Sequence, residues 1–154
     1  MLKPIALATL ISGTLDILLA IVLTLIYGRE PGAMLRYVAS GPFPGATEMG
    51  EGGAALGLGV HFALMAIMAT AFVLLARWRP VLLETPWRTA LAFGVITYFA
   101  MNWLVVPLRF GTPLPPKTIS IVTQLFAHIV LVGIPFALIT ARTLQTSALR
   151  QATA

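Results

Sequence analysis

The run at residues 51–76, EGGAALGLGVHFALMAIMATAFVLLA, carries no charge after its first residue. A bilayer core of about 30 Å is crossed by about 20 apolar residues in helical form, so this run is long enough to span. Its first half is small and glycine-rich, and His61 stands near its middle. Residues 4–26, 87–107 and 119–140 have the same apolar character, and the four stretches take up most of the 154 residues. Only 10% of the chain is charged, against about 25% in a soluble domain, and the mean hydropathy is +0.93. The expected class is therefore all-α: a polytopic membrane protein, a four-transmembrane-helix bundle over residues 1–142. A short interfacial helix is expected in the first loop, and a polar tail at 143–154 is expected to fray.

The formal net charge of +5 does not point to nucleic acid, because the basic residues stand singly at the ends of apolar stretches rather than as a patch. There they orient a membrane protein. With both termini inside, the inner side holds Lys3, Arg77, Arg79, Arg88, Arg142 and Arg150, and the outer side holds Arg29, Arg36, Arg109 and Lys117. Six against four predicts cytoplasmic termini. The first stretch is too long for a signal peptide, contains Asp16 and lacks a small-x-small cleavage site, so it reads as a retained helix. Cysteine is absent, which removes disulfides, thiol nucleophiles and thiolate ligands.

Along the first helix Thr9, Ser12, Gly13, Asp16 and Ala20 recur at helical spacing as a small, polar stripe that should look inward. AMLRYVAS in the first connection fits about two turns lying at the membrane surface, ended by GPFPG. In the second helix Gly50, Ala54, Gly57 and His61 share a face that a neighbour can approach closely. In the third, Tyr98, Asn102 and Arg109 fall on one side, and Pro107 is expected to bend or end the helix. In the fourth, Ser120, Gln124 and His128 share a face, and Gly133 with Pro135 marks a bend.

At 1.5 Å of rise per residue, Asp16, His61 and His128 all come out about 15 Å deep, with Tyr98 nearby and Asn102 shallower at roughly 8 Å. An acid at that depth is costly and faces protein or a wet cavity. An Asp–His hydrogen bond would make its burial tolerable. The expected site is thus a buried polar layer of Asp16, His61, Tyr98, Asn102, Gln124 and His128, with Asp16 touching one histidine. Four readings of it stand open. It fixes helix register, as in a structural or assembly subunit. It forms a proton or small-solute pathway. It binds metal through His61, His128 and Asp16. Or it holds haem b between His61 and His128. No hydrolytic constellation accompanies the histidines, so non-enzymatic roles lead. At the outer rim Arg36, Glu48, Glu51, Arg109 and Lys117 are expected to meet under the first loop, with Arg109 able to reach down to Asn102 and Tyr98. So small a bundle would transport more plausibly as a homo-oligomer or with a membrane partner subunit.

YVASGPFPGA in the first loop, GLGVHF around His61, TYFAMNWLVVPL around Asn102 and LFAHIVLVGIPFAL around His128 resemble a family of small bacterial inner-membrane proteins, the YagU-like group. The resemblance covers residues 13–141, and His61, Asn102 and His128 are the positions that match it. It implies four helices in the inner membrane and transfers no activity; Asp16 lies outside its motifs.

Overall fold

A computed structural model describes the backbone of residues 1–152 and the side chains of residues 1–144. Four helices are long and apolar enough to cross a membrane: Leu2–Ile26, Gly50–Trp78, Pro86–Phe110 and Thr118–Leu144. They are called the first to fourth spans. The last helix continues beyond its span to Ala152, into the expected tail, whose side chains from 145 onward lie outside the described residues. The face of the bundle carrying residues 27–49 and 111–117 is the loop face, and the opposite one is the terminal face.

The first span packs on the second and fourth, and the fourth packs on the third. The backbones of the second and third spans stay apart among the described residues. What joins those two is aromatic: in the terminal half Phe72 meets Phe93 with ring centroids 4.8 Å apart. Phe136 of the fourth span completes the cluster at 6.0 Å from Phe72 and 5.7 Å from Phe93. Ala8, Met65, Ala69, Ala76, Ala90, Val132 and Ala137 fill in around it. The alanines let the backbones close on the rings, which is how a bundle gains contact when lipid is as apolar as its core.

The interfacial helix forms at Pro31–Ala39, opened by a proline in its first turn, and a 3₁₀ turn follows at Pro44–Glu48. It lies across the start of the second span. A side chain at Gly57 would run into the Leu35 carbonyl, and one at Gly53 into that of Ala46. The small face of the second span therefore receives the interfacial helix, and its missing Cβ atoms are what let backbone meet backbone.

Pro107 does not end the third span, which runs on to Phe110. The residues just before it, Ala100–Val105, widen into a π-helical segment. Ala127–Gly133 does the same just before Pro135. Each proline lacks an N–H and its ring crowds the carbonyl four residues back. Widening the preceding turn relieves that crowding without breaking the rod. Asn102 and His128 both lie inside these widened turns.

Candidate functional site

The predicted layer separates into two histidine pairs and a cavity. The first pair joins the first and second spans. His61 Nε2 donates to the Gly13 carbonyl at 2.9 Å, an acceptor that a helix normally hides and that the glycine leaves approachable. With Nε2–H so engaged, Nδ1 faces Asp16 Oδ2 at 3.9 Å, an ion-pair separation rather than a hydrogen bond. Asp16 keeps 24% of its side chain exposed while His61 keeps 10%.

The second pair joins the fourth and third spans. The Thr97 hydroxyl is directed at the carbonyls of Phe93 and Gly94, at 2.9 and 3.1 Å. It therefore accepts from His128 Nδ1–H, 3.1 Å away. The two histidines thus carry their protons on different nitrogens. Tyr98 is buried edge-on to the His128 ring, 6.1 Å between centroids, but its hydroxyl turns away and accepts from Trp103 Nε1 at 3.1 Å. Among the described residues no hydrogen bond or ion pair connects the Asp16–His61 pair with His128, Tyr98 or Asn102. The single network expected of the sequence is two local stitches. Nor do three His, Asp or Glu side chains gather anywhere among the described residues to hold a metal, so the set His61, His128 and Asp16 is not assembled.

Asn102 and Gln124 belong elsewhere. The first span packs on the fourth from Ala127 onward and leaves its opening turns, Thr118–Phe126, untouched. The helices diverge toward the loop face and leave an open cavity of about 730 Å³ between them. Ala20 and Thr24 form one wall, Ser120, Thr123 and Gln124 another, and Asn102 reaches in from the third span. Asn102 Nδ2 donates to the Tyr98 carbonyl at 3.2 Å. Its Oδ1 and the whole amide of Gln124 have no protein partner among the described residues. Arg29 and Lys117 also line it, each at the loop-face end of its span. Beneath it, Asp16 stands one helical turn below Ala20 on the first span.

Sequence spacing marked Ser120 and Gln124 as one face. It missed Thr24 and Thr123, although Thr24 extends the 12, 16, 20 stripe by one more turn. It also missed Thr97, the acceptor for His128, whose role depends on which way the third span is rotated.

The expected cluster of rim charges is not formed. Arg36 pairs with Glu30 of its own helix boundary at 3.3 Å, and Glu48 and Glu51 are exposed. Arg109 does not reach down to Asn102 and Tyr98. It turns to the interfacial helix, donating to the carbonyls of Ser40 at 2.8 Å and Gly41 at 2.6 Å, where a helix end leaves acceptors open to a cation. Phe110 beside it stacks on Tyr37 at 4.4 Å.

Compared with known proteins, the chain matches no family model, no curated protein and no solved structure.

Proposed function

We propose that this chain binds a small polar solute within the membrane, as the loop-side half of a solute pathway in the bacterial inner membrane, with both termini cytoplasmic. The observation that carries the reading is the unpartnered Gln124 amide and Asn102 Oδ1 inside the 730 Å³ cavity. These half-buried amide groups are open to a hydrogen-bonding ligand or water, and the volume lies in the range of small-molecule sites, about 300–1,000 Å³. The cavity faces one side only, because the Phe72, Phe93 and Phe136 cluster fills the terminal half. That one-sidedness suits a step in alternating access.

Osmotic re-swelling of reconstituted vesicles tests it, with glycerol, gluconate, glucose and glycine as the entering solutes. Re-swelling faster than in empty vesicles for at least one solute, and its loss in Asn102→Leu/Gln124→Leu, is expected. Rates equal to those of empty vesicles throughout the panel would defeat the reading.

The histidines favour a second reading for their own layer. His61 and His128 each direct a hydrogen bond across a helix interface, to Gly13 and Thr97, rather than into the cavity. On this reading they hold register and the cavity holds the ligand.

A further inference from the structure

We propose that the mouth of the cavity selects anions. The solute is then a small organic anion whose charged end stays at the rim while a neutral, hydrogen-bonding body reaches Asn102 and Gln124. The inference rests on the reading of the cavity as a solute site and adds the class of solute.

Its ground is the charge arrangement around the opening. Arg29 and Lys117 line the cavity and no acidic residue does. Neither cation has an ion pair among the described residues. The acid next to Arg29 in the chain, Glu30, lines the adjoining groove of about 430 Å³ between the first span and the interfacial helix. Its carboxylate is held by Arg36. Arg109 is engaged by backbone carbonyls, and Glu48 and Glu51 lie outside the lining, exposed at the start of the second span. Two exposed cations beside the opening, with no acid in its lining, raise the local concentration of anions there.

Depth limits where the negative charge can sit. Below the rim the polar lining is neutral: Thr24, Thr123, Gln124 and Asn102. The next charged group down is Asp16, a turn beneath Ala20, and it is itself an acid, 3.9 Å from His61. No cation lines the cavity below the rim to hold a second anionic group there. One charged head with a hydroxylated or amide-bearing body, of the hydroxy-carboxylate or polyol-phosphate kind, matches the sequence of surfaces from mouth to floor.

The absence of cysteine makes the test direct. Thr123→Cys places a single thiol on the cavity wall, at a residue whose hydroxyl bonds only within its own helix. The full chain in zwitterionic-lipid nanodiscs is labelled with anionic 2-sulfonatoethyl methanethiosulfonate and cationic 2-(trimethylammonium)ethyl methanethiosulfonate. Each rate is normalised to the same reagent's rate with 2-mercaptoethanol. The anionic reagent is expected to be favoured about tenfold, and Arg29→Gln/Lys117→Gln to bring the ratio close to one. Lys117→Gln alone, should the double variant not fold, is expected to lower the ratio part of the way, and Lys3→Gln on the terminal face to leave it unchanged. A ratio at or below one, or one that survives loss of both charges, would overturn the anion inference and leave the solute site standing. Labelling by neither reagent would mean a dry wall and would remove both.

Discussion

At the scale of single residues, the two histidines are set apart by what each meets. His61 gives its Nε2 proton to the Gly13 carbonyl, whereas His128 gives its Nδ1 proton to Thr97. ¹⁵N spectra of histidine-labelled protein are expected to show one ring with Nε2 protonated and the other with Nδ1 protonated; a shared tautomer would contradict the geometry. Thr97→Val leaves the His128 N–H without its acceptor, and a loss of about 1 kcal/mol is expected, read from the midpoint of thermal unfolding in detergent. Asp16→Asn keeps the shape of the side chain and can turn an N–H toward His61 Nδ1. It should therefore keep the stability that Asp16→Leu loses. Helical rise made the depth of these side chains legible in the sequence, and with it the meeting of Asp16 with one histidine, though not which of the two. Rotation about each helix axis was not legible, and rotation sent His128 to Thr97 and the Tyr98 hydroxyl to Trp103.

Among the elements, the spans were legible because backbone pairing in lipid leaves a helix little alternative. Of the two outcomes expected at Pro107, a bend or an end, the end does not occur, because a proline breaks a helix only where no neighbouring turn can widen. The segment Ala100–Val105 widens, and the span continues to Phe110. A widened turn shifts the residues before it by about one position, roughly 100° of rotation, relative to those after it. Pro135→Ala restores an N–H donor and removes the crowding, so the turn at Ala127–Gly133 is expected to tighten and carry His128 off Thr97. The Nδ1–H resonance of His128 should move while that of His61 stays. The contact of the interfacial helix with the second span is equally local. At Gly57 a methyl group meets the Leu35 backbone itself, which cannot rotate aside. Gly57→Ala is expected to cost about 1–3 kcal/mol and to raise amide exchange across Pro31–Ala39.

In the molecule as a whole, packing is uneven from one membrane face to the other. The terminal half is closed by three phenylalanines and their surrounding alanines, and the loop half is held open by diverging spans. Phe136→Ala would leave a void that lipid cannot reach and is expected to destabilise the bundle by about 3 kcal/mol. Its melting temperature should fall well below that of Thr123→Ala, a change on the cavity wall. The cavity itself could not be read from the sequence. It arises from where two helices part, and no residue pattern along either one records that. The interfacial helix, by contrast, announced itself through its flanking prolines and glycines.

Two carbonyls of the first loop rest on one guanidinium, that of Arg109, at the far end of the span that bears Asn102. The end of the interfacial helix and the loop-face end of the third span are thereby tied together like a latch, so any tilt of that span must either carry the first loop along or break both hydrogen bonds.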